Sequence, residues 1–269
     1  MKILAALLLL LAMNVGYVAA APAAFDRSHA GWNRLLEAHV RWNASGTATS
    51  VDYAGFGRDR QALGRYLADA SSVQVAQFRQ WPKPERDAFL VNVYNAATIE
   101  LVLTRYPDLK SIKQLGGLFG SPWKLQVLTL LGRRRSLDEI EHTLLRGAAD
   151  YDDPRIHFAV NCASVGCPAL RPEAYLGRRL ETQLDDQTRR FLRDRSRNRH
   201  DVRTDGLRVS PIFDWYAEDF GAHGGGVNTF LARYPVELGL DAGDVMRLRA
   251  GRMPVAFTAY DWRLNRRPP

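Results

Sequence analysis

Cys162 and Cys167 are the two cysteines of the chain, and both lie in the stretch HFAVNCASVGCPAL (157–170), which opens with His157. Three chemistries suit such a group. A thiol becomes a nucleophile when an imidazole, a helix N-terminus or both lower its pKa. The two sulfurs can instead close a disulfide through Gly166, although so small a loop removes little entropy from the unfolded chain. A zinc site would need four ligands, and Cys162, Cys167 and His157 lack the tight spacing of familiar fingers. On these residues alone the three stay open, with the metal the least suited.

A thiol nucleophile needs a base, and the base needs an orienting group. SLDEIEHTLLRG (136–147) offers both an acid and a second imidazole. Ser136 and Glu139 stand at the two positions of a capping box, and Gly147 is placed to end the helix. At helical spacing Glu141 falls in one arc with Leu137, Ile140, Leu144 and Leu145, while His142 lies at the flank of that arc. A carboxylate facing a core must be paired, hydrogen-bonded or protonated. Glu141 is therefore either a structural tie or the group that orients an imidazole. RIHFAVNC alternates like a strand, which would put His157 and Cys162 roughly 16 Å apart on opposite faces. A bend there, His142 as the base of Cys162, or His157 meeting Cys167 would each resolve this.

The supporting elements are mainly helical at first. PERDAFLVNVYNAATIELVLTRYP, from Pro84 to Pro107, is apolar nearly all round and predicts a helix through the middle of a domain. Asn92 and Asn95 interrupt it on neighbouring ground, where they either tie a loop or face a site. Residues 28–44 predict an opening amphipathic helix, and Trp123 to Leu131 a strand pair turning at Gly132. The glycines at 116, 117 and 120 lack the Lys-Ser/Thr of a phosphate loop. Helices dominate the N-terminal half, and a small antiparallel sheet is expected in the second half. That order is α+β, and the length fits one domain over 22–269.

The first 21 residues have the anatomy of a secretory signal peptide: Lys2, an apolar run from Ile3 to Met13, then small residues. The mature chain is expected to be periplasmic or secreted, with no membrane span of its own. A formal charge of +8 is spread along the chain, with one basic run at 189–203 that holds Asp194 and Asp201. We read that run as a solvated helix end and loop, with contact to an anionic lipid or cell-wall polymer as the alternative. Nucleic acid is not an expected partner.

NVYNAATIELVL, SLDEIEHTLLRG, DPRIHFAVNCASVGCPAL, SPIFDWYAEDF and YDWRLN occur in an order that resembles the family called domain of unknown function 547, from about Val51 to Asn265. The resemblance implies a fold similar to cysteine peptidases and transglutaminases, with a Cys-His-Glu site. Carried across, it implies Cys162 as nucleophile, His157 or His142 as base and Glu141 as orienting acid. Asn92, Asn95, Trp215 and Cys167 would support them, and neither a metal nor a cofactor is expected. Both histidines precede the cysteine, the reverse of the papain order. The expected activity is thiol-dependent hydrolysis or acyl transfer at a peptide or other amide bond of envelope or extracellular material. The rival is a non-catalytic module that binds peptide or envelope polymer, with its two cysteines disulfide-bonded.

Overall fold

The computed structural model describes residues 24–117 and 120–267. The expected signal peptide, 1–21, lies outside the described residues. Among those described, no helix is long and apolar enough to cross a membrane.

A helix over Lys83–Leu103 runs through the interior, with Pro84 in its first turn, where a missing N–H costs nothing. Every residue from Ala88 to Ile99 on it is buried, as its all-round apolar pattern predicts. The two amides tie loops. Asn92 donates to the Tyr175 carbonyl at 2.8 Å and accepts from the Tyr175 N–H at 3.0 Å. Asn95 donates to the Ala159 carbonyl at 3.0 Å and accepts from the Asn161 N–H at 2.8 Å. Asn95 thus clamps the backbone immediately before Cys162. Asn95→Ala would leave two buried backbone groups unpaired and is expected to cost about 2–4 kcal/mol, read as a shifted midpoint in urea unfolding.

The α+β expectation holds, but strands are more widely distributed than predicted. The opening helix is shorter than 28–44 and spans Ala30–His39. Val40–Trp42 then pairs antiparallel with Thr49–Val51. Gln126–Leu130 and Arg133–Ser136 form the expected hairpin around Gly132. In the third sheet, Gly206–Val209 pairs antiparallel with Arg199–Asp201 and parallel with Val255–Phe257. The small sheet expected in the second half is present, but it is mixed rather than purely antiparallel. Local alternation marks single strands and carries no information on which distant strand completes a ladder.

The strand predicted for RIHFAVNC does not form. Pro154–Phe158 is a 3-10 helix, started by the Asp153 side chain accepting from the Arg155 N–H. A 3-10 turn advances only about 2 Å per residue, so the extended geometry from which the roughly 16 Å separation and opposite faces followed does not apply here. The basic run is also more than a solvated surface. Arg189 and Arg193 both reach the buried Glu237, and the largely buried Arg197 donates to the Val165 carbonyl in the cysteine loop.

Two apolar clusters meet near that loop. One holds the central helix with Ile140, Leu145 and Val160. The other gathers Phe158, Phe191, Ile212, Phe213 and Phe220. Val160 and Phe158 come from one short segment, which places the residues around them at the seam between the clusters.

Candidate active site

A cleft of about 220 Å³ opens at this seam. Cys162, Cys167, His157, Glu141 and His142 all line it, with Tyr94, Trp123, Trp215, Tyr216, Tyr260 and Trp262 as aromatic walls. Sequence reasoning thus selected six side chains that share one cavity, Trp215 being the sixth, and such a cavity is the ordinary setting of a small-molecule or catalytic site.

The sulfur centre is built by a tight loop. Cys162 is half-buried and Cys167 buried, and both are free thiols. Ala163 takes a φ of 62°, a left-handed conformation that turns the chain directly after Cys162. Asn161 holds this turn, accepting from the Ala163 N–H at 2.9 Å and donating to the Pro168 carbonyl at 2.7 Å. The C-terminal segment presses on the loop's far side: Val165 and Gly166 donate to the Arg263 and Asp261 carbonyls. A Cβ on Gly166 would come within 3.1 Å of the Tyr260 ring, so glycine is what permits that approach.

Around the Cys162 sulfur stand the Cys167 sulfur at 2.6 Å, the Ser164 hydroxyl at 2.9 Å and the Tyr260 hydroxyl at 3.2 Å. Burial pushes the Cys162 thiol up, but hydrogen bonds from Cys167, Ser164 and Tyr260 outweigh it and bring the thiol down to about 7. Burial, and then the adjacent Cys162 sulfur, push the Cys167 thiol well up. The pair therefore divides its roles, with Cys162 as the thiolate and Cys167 as a donor to it. The thiolate is stabilised without an imidazole: neither histidine is among the sulfur's hydrogen-bond partners in the described residues.

His157 is buried, stacked on Tyr216 with ring centroids 3.6 Å apart, and held through Nε2 by the Asp219 carboxylate at 2.6 Å. Arg146 fixes Asp219 in turn with two hydrogen bonds of 2.6 and 2.9 Å, and the Tyr151 hydroxyl adds a third contact at 3.0 Å. Burial opposes charge on Asp219, yet the bonds from His157 and Arg146 hold its carboxyl far below the usual range. A carboxylate accepts only, so Nε2 carries the proton and Nδ1 presents a lone pair. Nδ1 is buried with no hydrogen-bond partner among the described residues. Burial pushes the His157 imidazole down, and Asp219 and Glu141 only partly offset this.

The acid hydrogen-bonded to the imidazole is Asp219, not Glu141. Glu141 is buried, as its helical arc predicted, but its Oε1 lies 4.0 Å from His157 Nδ1, beyond a hydrogen bond. It accepts instead from the Tyr216 hydroxyl at 2.5 Å. The segment carrying it, Glu139–Leu145, is wound as a π-helix, with the Arg146 N–H bonded to the Glu141 carbonyl. Ser136 and Glu139 exchange the two hydrogen bonds of the expected capping box. Gly147 follows the helix because a Cβ there would lie 2.6 Å from the Thr143 carbonyl.

His142 is held by surface partners. Arg146 donates to its Nδ1, its Nε2 sits 3.7 Å from Asp138, and its side chain is 39% exposed. Trp215 is 48% exposed and packs against Tyr260 and Trp262 at the cleft wall. Asn92 and Asn95 do not line the cleft, and Asn95 acts on it through the backbone. The backbone N–H groups of Ala163, Val165, Gly166 and Cys167 are already paired within the fold and do not face a reacting oxygen. Asp219, Arg146, Ser164 and Tyr260 escaped the sequence reasoning. WYAEDF and YDWRLN were noticed as motifs, but nothing local to them indicates which distant group each meets.

No curated protein and no solved structure matches the chain. The stretch from Phe78 to Leu192 does match a family model, and it holds Glu141, His142, His157, Cys162 and Cys167 but not Trp215 or Asp219. Over residues 78–192 the chain carries the pattern of the family described as protein of unknown function, DUF547.

Proposed function

We propose that this chain is an exported thiol-dependent hydrolase or acyltransferase on a papain- or transglutaminase-like framework. It acts through Cys162 on a peptide or other amide bond of envelope or extracellular material. The observation that carries the reading is a partly exposed Cys162, its thiol brought down to about 7 by hydrogen bonds, in one cleft with a buried imidazole whose lone pair has no partner among the described residues.

In the reaction Cys162 adds to the acyl carbon, and the carbonyl oxygen becomes an oxyanion. The hydroxyls of Tyr260 and Ser164 surround the sulfur and are the nearest donors for that charge. Near neutral pH part of Cys162 is still thiol; from that form His157 takes the proton on Nδ1, and its imidazolium lies between Asp219 and Glu141. It then gives that proton to the departing amine. The thioester left behind passes to water or to a second amine, with His157 taking the proton of the incoming group.

The second reading, a binding module with a Cys162–Cys167 disulfide, is favoured by the 2.6 Å between the sulfurs and by the paired N–H groups of the loop. Iodoacetamide separates the two. For a thiol enzyme, mapping places the fast adduct on Cys162, and the rate rises with pH around a midpoint near 7. Tyr260→Phe removes a donor to the thiolate and is expected to move that midpoint upward. A static disulfide gives no adduct even in protein treated with dithiothreitol and then freed of it, and inert thiols label slowly at both positions. Either outcome would end the enzymatic reading.

A further inference from the structure

We infer that Cys162 and Cys167 form a peroxide-reactive dithiol, in which Cys162 reduces a hydroperoxide and Cys167 resolves the product to a reversible disulfide. This second chemistry does not depend on the acyl-transfer reading, because it needs only the two sulfurs and their neighbours.

Three observations converge on it. Cys162 is partly exposed at a cleft while Cys167 is buried beneath it, so an oxidant entering the cleft meets Cys162 first. The sulfurs are 2.6 Å apart, so closing a bond of about 2.05 Å needs roughly half an ångström of movement. The Cys162 N–H also donates to the Cys167 sulfur at 2.8 Å, which fixes the resolving sulfur against the first residue of the loop. An accessible thiolate beside a resolving cysteine is the setting in which sulfenic acids form and are condensed.

The steps balance. The Cys162 thiolate attacks one oxygen of the hydroperoxide, the O–O bond breaks, and the departing hydroxide or alkoxide takes a proton from water. Cys162 is now a sulfenic acid, oxidised by two electrons. The Cys167 sulfur then attacks the Cys162 sulfur, the S–O bond breaks, and the hydroxide leaves with the Cys167 proton as water. A dithiol reductant returns both thiols. In the disulfide state the Cys162 sulfur is withheld from any acyl carbon.

The test uses the mature chain, reduced and freed of reductant, with hydrogen peroxide as the oxidant and dimedone as the sulfenic acid trap. The native protein should lose both thiols at equimolar peroxide, fall by two mass units as an intrachain disulfide, and recover fully in dithiothreitol. Cys167→Ser keeps a hydroxyl donor beside the thiolate and should accumulate a dimedone adduct on Cys162. Cys162→Ser should give no adduct on Cys167. Each result has a counterpart that overturns the inference: thiols unchanged at tenfold excess peroxide, an adduct on Cys167 in Cys162→Ser, or disulfide only between chains. A Cys162–Cys167 bond that dithiothreitol does not open would overturn it too. Because every readout is a mass, loss of acyl-transfer activity would not be mistaken for failure here.

Discussion

Asp219→Asn is expected to lower acyl transfer roughly 10³-fold or more, while Glu141→Gln costs at least tenfold less. The carboxylate of Asp219 accepts from His157 Nε2, from two Arg146 nitrogens and from the Tyr151 hydroxyl. An amide there presents an N–H to one of these donors. The imidazole can then satisfy it only by carrying its proton on Nδ1, the nitrogen that must accept. Glu141 makes one contact to the phenol of Tyr216 and none to the imidazole within hydrogen-bond reach. Release of nitrophenolate from p-nitrophenyl acetate, a generic activated ester, measures both variants. A larger loss in Glu141→Gln than in Asp219→Asn would return the orienting role to Glu141.

The same substitution has a stability signature. Loss of the carboxylate leaves the partly buried Arg146 guanidinium without its ion pair, at a cost of about 1–3 kcal/mol. The Asp219 carboxyl is held far below its usual range in the fold, so it binds its proton less readily there than in the unfolded chain. The stability it contributes is fully present above the unfolded carboxyl pKa of about 4. It is lost as pH falls from there toward the folded value. Unfolding midpoints recorded from pH 7 to pH 2 should therefore decline less steeply below pH 4 in Asp219→Asn than in the native protein.

Cys162→Ser is the second large effect. A hydroxyl in place of the thiolate is a far poorer nucleophile near neutral pH, and acyl transfer should fall by roughly 10³-fold or more. Folding should be spared, because the partners of this atom are a thiol and two hydroxyls that can rotate to donate or accept. The measurement is a pre-steady-state burst of nitrophenolate, with circular dichroism as the folding control. A full burst in Cys162→Ser would remove Cys162 from the chemistry. A burst lost in Cys162→Ser and retained in Cys167→Ser would match the division of roles between the sulfurs.

The residue pattern by itself determined a good deal about this protein. The helix over Lys83–Leu103, the capping box of Ser136 and Glu139, the hairpin at Gly132 and the inward face of Glu141 all rest on interactions within a few residues. Such contacts leave periodicities and spacings that can be read directly. The resemblance to the DUF547 family was legible over residues 78–192 for the same reason, since the three motifs there are contiguous strings.

Only the tertiary structure decided how those strings meet. His157 and Asp219 are 62 residues apart, and Cys162 and Tyr260 are 98 apart. No local period records either contact. Alternation suggested a strand across His157 and Cys162, but the Asp153 cap, Pro154 and the Asn95 clamp on Ala159 and Asn161 bend the segment into a helical turn and loop. Desolvation and hydrogen bonding from residues distant in sequence then set which sulfur is the thiolate and which acid holds the imidazole. Those quantities belong to the assembled environment, and they come into being only when the chain has folded.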